Sequence, residues 1–368
     1  MKKSSSLLAL ILVFASAFGQ ETVTVSKKPL SPRAGRVLKI REALRVSDAQ
    51  GDFFFKNPDN IQAAPDGGFF VLDDGEFLRF DAKGKFLGNL FRQGQGPGEF
   101  QRIENYLVGE TDVLAFQRNP MKFVRMDMGG KLLRDFKPDA PVTRFLGRAG
   151  ERFVSAHNSY PPVEKVNKPE GEILDITWTL QFVSGEGAVE STLLTFPTKW
   201  FAKRLPGALI ADDLTSLLWA PLGKGMIAVA HGAKYALKIG DLDKREVVRT
   251  IVRDYKSVKY EPEKDSAGPG GSRRLSVPRD FFNDVQKLFA VGGKIWVVTS
   301  TLVPEKGVLV DVIGPNGEYL DAFFLPLPKD VGLHGLARLP LTVAGRTILT
   351  VEVREDGQPE VVKYEILD

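Results

Sequence analysis

Cysteine is absent from all 368 residues. Its absence excludes disulfides, thiol nucleophiles, cysteine-ligated metals and a lipidated N-terminal cysteine, so the fold must be stabilised by its core alone. Histidine is scarce: His157, His231 and His334 are the three in the chain, and no local motif connects them. A three-histidine metal site would need them to converge from distant segments, and they read better as unrelated side chains. There is no G-x-S-x-G elbow, so serine has no local triad signature. The one long apolar run, near the N-terminus, is too short to span a bilayer, so no stable membrane span is expected. Net charge is small, +4 over the whole chain, which gives no global argument for nucleic acid.

Glycine (36) and proline (23) are plentiful in a chain that is 43% hydrophobic and 26% charged. That composition suits a soluble core built from many short elements and turns. At the N-terminus, Met1-Lys2-Lys3, the apolar run Leu7–Phe14 and the small residues Ala15-Ser16-Ala17-Phe18-Gly19 follow the order of a secretory signal peptide. Cleavage fits after Gly19 or after Ala17. Removing residues 1–19, which hold two lysines and no acid, lowers the formal charge from +4 to +2. Residues 20–35 then form a polar lead, and the mature chain is expected in the periplasm or outside the cell.

Asp52–Phe100 is one complete structural unit. Asn60–Ala64 ends at Pro65-Asp66-Gly67-Gly68, Phe69–Leu72 at Asp73-Asp74-Gly75, Phe77–Phe80 at Asp81-Ala82-Lys83-Gly84, and Phe86–Phe91 runs into Gly94-Gln95-Gly96-Pro97-Gly98. Four β-rich runs with a turn after each describe a four-stranded antiparallel meander. Looser copies follow: Ile103–Leu133, Phe145–Phe196 with a polar insert at Asn158–Glu172, Leu214–Val252, Val285–Leu325 and Leu336–Leu367. The longest irregular stretch, Asp254–Asp280, centres on the glycine-rich residues 266–274 and reads as a mobile loop or lid. Six copies at spacings of roughly 40 to 75 residues imply a propeller of four-stranded blades. The sixth copy lacks a fourth strand and the N-terminus has a spare one, Val37–Val46. Residues 36–368 are therefore expected to form an all-β six-bladed propeller, with that N-terminal strand closing the last blade. A pair of β-sandwiches would need a linker and does not fit the repeating strand-turn phase.

The first unit also carries a resemblance. Phe55-x-x-Pro58, Pro65-Asp66-Gly67-Gly68-Phe69-Phe70-Val71-Leu72-Asp73, Arg79-Phe80-Asp81-x-x-Gly84 and Gly94-x-Gly96-Pro97-Gly98-Glu99-Phe100 resemble an NHL-type propeller repeat. With its GQGPGEF ending, the unit is similar to secreted six-bladed propeller proteins of bacteria. The resemblance implies the fold far more than an activity.

In a propeller the starts of the inner strands ring the channel mouth. Asn60, Glu104, Asn105, Asp213 and Asp284, with Asn283 beside the last, supply carboxylates and amides there, and Arg144 and His334 occupy comparable places. Lactonase-type propellers bind a divalent cation with similar oxygen ligands, so these residues are candidates for a ligand site that could take Ca²⁺. Gly94–Gly98 lacks the spacing and the following helix of a phosphate loop and reads as a crossing between blades, with Phe100 anchoring the next. Lys199-Trp200-Phe201-Ala202-Lys203-Arg204 and Arg273-Arg274 are basic, the former with aromatics interleaved. Some NHL propellers bind RNA through such a face, but export argues against nucleic acid and leaves an anionic glycan or a protein partner.

The expected function is therefore non-catalytic: a secreted, monomeric disk, needing no cofactor, that recognises a protein, peptide or glycan by its loop face. The alternative is a metal-dependent hydrolase or lyase with its cation at the channel mouth. Export is tested directly: N-terminal sequencing of the protein from its native host is expected to start at Phe18 or Gln20. Recovery solely as an intact Met1 form from the cytosol would contradict it.

Overall fold

The computed structural model describes residues 21–47, 51, 53–149, 152–160, 166, 168, 170–205, 208–262, 279–329 and 331–368. The signal-peptide residues 1–19, the glycine-rich loop at 266–274 with Arg273-Arg274, and part of the Asn158–Glu172 insert lie outside them. Among the described residues the strands form six sheets, in chain order. The first contains Pro58–Ala63, Phe69–Asp73, Glu76–Phe80 and Phe86–Asn89, and the second Asn105–Val108, Asp112–Arg118, Met121–Asp127 and Leu132–Phe136. Both are simple antiparallel meanders. Their third turns are built alike. Asp81 Oδ1 accepts from the N–H groups of Lys83 and Lys85 at 2.8 and 2.9 Å, and Asp127 Oδ1 accepts from Gly129 and Lys131 at the same distances. An aspartate that bonds the backbone two residues on fixes the turn and hence the register of the strands beside it.

The remaining sheets depart from the four-stranded expectation. Only the sixth has four strands, and three sheets have five. In the third sheet, Arg144–Ala149, Arg152–Ser159, Glu172–Val183 and Val189–Leu205 are followed by an added fifth strand, Ala208–Asp213. The fourth sheet (Leu218–Gly223, Met226–Ala230, Ala236–Asp241, Glu246–Val252) and the fifth (Val285–Val291, Lys294–Val303, Gly307–Ile313, Tyr319–Leu325) gain their fifth strands from the N-terminus. Glu21–Thr24 pairs in parallel with Arg249–Val252, and Arg36–Val37 in parallel with Phe323–Phe324. The lead is thus a belt along the outer edges of two sheets, seated by the buried side chains of Val25 and Leu38. The expected strand Val37–Val46 is divided. Its first residue stays on the fifth sheet, and Ile40–Val46 pairs antiparallel with Pro359–Ile366 as the fourth strand of the sixth sheet, beyond Leu341–Ala344 and Thr347–Val353.

The first strand of each sheet neighbours the first strand of the next, and that of the sixth neighbours that of the first. An apolar cluster fills each junction. Phe70, Leu72 and Phe77 meet Tyr106, Val113 and Val124 between the first and second sheets. Val46, Leu349, Val351 and Val361 meet Phe55, Phe69 and Phe80 between the sixth and the first. The glycine loop at 94–98 is the crossing from first to second sheet. Phe100, fully buried, bonds Arg92 and Gly94 through its backbone, and Glu99 folds back to accept the Gly96 N–H at 2.9 Å. Gly98, at φ +73°, holds a conformation that a side chain would strain.

The belt and the closing strand differ in what they bury, and truncation separates them. A protein beginning at Lys27 loses one edge strand and is expected to fold, with a melting temperature lowered by a few degrees. A protein beginning at Ser47 leaves Pro359–Ile366 as an open edge and removes Val46 from the core, so aggregation or loss of cooperative melting is expected. Melting of the second form like the full chain, followed by circular dichroism, would contradict this role for Ile40–Val46.

Candidate functional site

Strands drawn from all six sheets line one axial cavity of about 780 Å³. Asn60, Glu104, Asn105 and Arg144, near the starts of first strands, line it. They are also joined. Asn60 Nδ2 donates to Asn105 Oδ1 at 3.3 Å, and Asn105 Nδ2 donates to the Phe145 carbonyl at 2.9 Å, so two side-chain amides link the first three sheets. Gln62 continues the pattern, donating to the Tyr106 carbonyl at 2.6 Å and accepting the Val108 N–H at 3.1 Å. No backbone ladder joins neighbouring first strands among the described residues, and these amides bridge them instead.

The other three sequence candidates lie elsewhere. Asp213 ends the outermost strand of the third sheet, opposite Trp200, because the fourth sheet begins at Leu218 rather than Leu214. Asp284 is buried at the junction of the fourth and fifth sheets, where Oδ2 accepts the Tyr235 N–H at 3.1 Å; neither it nor Asn283 lines the cavity. His334 sits on a single helical turn, Leu333–Leu336, that stands where an early start of the sixth sheet is expected. Its Nε2 donates to the Glu261 carbonyl at 2.8 Å, and its ring packs between Tyr260 and Phe282. His157 and His231 belong to the third and fourth sheets, where burial lowers the pKa of each, and His231 Nε2 bonds Thr215 Oγ1 at 3.0 Å.

Four charged residues that the sequence reading passes over complete the cavity: Asp59, Arg118, Lys287 and Arg338. Lys287 is in the middle of Val285–Val291, where a single lysine among apolar residues carries no sign of which way it faces. It lines the cavity and donates to the Ala337 carbonyl at 3.2 Å, and desolvation lowers its pKa to about 8. Glu104 lies 3.6 Å from Arg118 and 3.8 Å from Arg102. Desolvation raises the Asp59 pKa, with Arg102 opposing it. Arg144 stacks over the Trp178 ring at 5.5 Å. Arg144, Lys287 and Arg338 have no carboxylate partner among the described residues.

Among the described residues no three His, Asp or Glu side chains are grouped to hold a metal ion. A test follows from Glu104, which faces two guanidinium groups, and Asp284, whose Oδ2 accepts a backbone N–H while its buried Oδ1 has no hydrogen-bond partner among the described residues. Neither EDTA nor Ca²⁺ is expected to move the melting temperature, and Asp284→Ala is expected to cost about 1–3 kcal/mol, equally in both. A bound ion at one hundred times its Kd would add about 2.7 kcal/mol to the native state. A Ca²⁺-reversible drop in the wild type, absent in the variant, would establish a cation site.

Residues 48–154 match the family DUF5128, described as a 6-bladed beta-propeller. Among curated proteins none matches the chain. Among solved structures, a member of the DUF4221 family from Bacteroides vulgatus is similar at 9% identity and a TM-score of 0.52, covering 90% of this chain and 99% of that one. An exported protein from Bacteroides fragilis is similar at 8% identity and a TM-score of 0.48, covering 94% and 99%. A virginiamycin B lyase from Staphylococcus aureus is similar at 10% identity and a TM-score of 0.41, covering 90% and 100%. The all-β chain has a β-propeller fold, and no helix among the described residues is long and apolar enough to cross a membrane.

Proposed function

We propose that the protein is an exported, NHL-like propeller with six sheets as its blades and Ile40–Val46 closing the ring, and that it works as a non-catalytic recognition disk for a protein, peptide or glycan. The observation that carries this reading is an arm on the third sheet. Thr177 is the last residue of Glu172–Val183 to pair with the second strand, opposite Ser159. Glu172–Ile176 run on beyond it and pair only with Thr198–Ala202, and Ala208–Asp213 pairs with Trp200–Leu205 on the far side. Because Arg144, at the start of its strand, pairs with Ala156, the arm extends past the end of the sheet where the first strands begin. That is the end where Asn60, Glu104 and Asn105 stand.

The arm has its own small core of Val166, Ile176, Trp200 and Ala202. The aromatic residues of the basic segment are therefore not a surface stripe: Trp200 and Phe201 are buried, and Lys199 pairs with Asp175 at 2.7 Å. Beside the exposed charges of Asp175 and Lys199, the arm and its flank expose apolar surface. Ile173 and Tyr160 are each 46% accessible, and the Tyr160 ring lies 4.9 Å from that of Trp200. A packed, raised wall with apolar side chains left in water, standing beside a polar cavity, is the arrangement of a recognition face.

The mature protein is expected to bind members of a peptide or glycan array, and the double substitution Ile173→Asp, Tyr160→Ser is expected to abolish that binding without changing the melting temperature. Binding that survives the substitution, or an array with no binder of either class, would overturn the reading.

A further inference from the structure

We propose that the axial cavity is a binding site for an organic anion that carries a carboxylate on an apolar body. The inference rests on reading the arm-bearing end as the recognition face, and adds the chemistry that its cavity selects. Four cations, Arg118, Arg144, Lys287 and Arg338, face the cavity against two carboxylates, Asp59 and Glu104. Glu104 is shared between Arg118 and Arg102 at 3.6 and 3.8 Å. The charge is distributed unevenly around the ring. Both carboxylates and the amides Asn60, Gln62 and Asn105 lie at the first and second sheets, with Arg118 beside them. By contrast, Lys287 on the fifth sheet and Arg338, just ahead of Leu341–Ala344, have no carboxylate partner among the described residues.

Apolar residues line the cavity on both sides, Trp219 and Phe289 near Lys287 and Ile61 and Leu107 across from it, so an anion drawn to Lys287 and Arg338 meets hydrocarbon as well as charge. The Lys287 ammonium has three donors, and one goes to the Ala337 carbonyl, next in sequence to Arg338. The remaining two are available to a carboxylate. The Arg144 guanidinium lies over the Trp178 ring, a stacking that leaves the N–H edges of its plane open. A cation withdrawn from water without a counter-ion is unfavourable, and an anionic ligand relieves that cost.

The same geometry sets a pH dependence. The ionisable groups that share the cavity with Lys287 are Asp59, Glu104, Arg118, Arg144 and Arg338. The flanking first strands Leu218–Gly223 and Leu341–Ala344 contain none, and on its own sheet Lys294–Val303 has only Lys294, at its far end. Within this set the ammonium of Lys287, with a pKa of about 8, is the group that changes charge just above neutrality. Anion affinity is therefore greatest below pH 8 and falls as pH rises through it.

Titration calorimetry of the mature protein at low ionic strength tests this with three isosteric probes: 3-phenylpropanoate, 3-phenylpropanol and 3-phenylpropylammonium. The carboxylate is expected to bind about tenfold or more tightly than the alcohol, which corresponds to one charge-assisted contact, and the ammonium is expected not to bind. Lys287→Gln should remove most of the preference, and Arg338→Gln should reduce it. Lys287→Arg should keep the preference and abolish its decline between pH 7 and 9, a readout independent of any loss of stability in the glutamine variant. Equal affinity for carboxylate and alcohol, or an unchanged preference in Lys287→Gln, would overturn the proposal while leaving the arm as a recognition surface. Failure of all three probes would also overturn it, and the array result then decides separately whether the face binds anything.

Discussion

The structure depends on sheets that bury both of their faces. In Phe69–Asp73, Phe69 and Val71 enter the cluster shared with the sixth sheet, whereas Phe70 and Leu72 enter the one shared with the second. The strand therefore reads as a continuous apolar run rather than an alternation. A sheet of this kind cannot stand alone in water, because covering one face still leaves the other exposed. Each sheet needs two neighbours. The junction between sixth and first sheets supplies the last of these, with Leu349 and Val351 against Phe69 and Phe80. Stability is thus shared among the junctions, and a break at any one of them uncovers two apolar faces.

The same junctions enclose polar groups, and several of the charges there are answered. Asp112 bonds Arg125 and, at 2.6 Å, Arg148 of the next sheet. Burial opposes its ionisation, but the two guanidiniums outweigh that and hold its carboxyl below the ordinary range. Asp311, with no accessible surface, pairs with Arg253 and accepts from the Tyr319 hydroxyl at 2.6 Å, and Arg253 in turn lies over the rings of Tyr235, Tyr255 and Tyr319. Asp73 accepts the N–H groups of Lys56 and Asn57. Breaking such a buried pair by removing one partner typically costs about 3–5 kcal/mol, which sets these pairs apart from the cavity cations that have no carboxylate partner among the described residues.

Much of the architecture was legible because turn chemistry and strand runs agree. Asp81 with Gly84 and Asp127 with Gly130 mark the same turn in two units, and the strands beside them fall within a few residues of their expected positions. The belt was illegible because Glu21–Thr24 and Arg36–Val37 are held by main-chain pairing to strands far away in sequence, and such pairing imposes little side-chain pattern. The arm did leave a signal. Ile173, Asp175 and Thr177 alternate with the packed Leu174 and Ile176, but the polar insert before them masked it. Asp213 and His334 were misplaced for one reason: each first strand was started several residues early, so that the residues just ahead of it fell on an outer strand in one case and a helical turn in the other. Lys287 was missed because a single lysine in an apolar strand carries no sign of whether it faces the axis or solvent.

An axial cavity converts that ambiguity into chemistry. Residues there come from six segments separated by tens to hundreds of positions, so no local motif marks the site. The ring fixes them nonetheless: register sets which residue of each first strand faces inward, and the junction clusters set how close the strands stand. Lys287, Arg338 and Arg144 are therefore positioned by packing that does not depend on their charge. A partly desolvated cation with no carboxylate partner among the described residues destabilises the resting protein slightly, and the junctions supply the rigidity that tolerates it. A ligand carboxylate placed among these groups would meet donors already oriented and already stripped of part of their water, which is the condition under which a charge contact adds most to affinity.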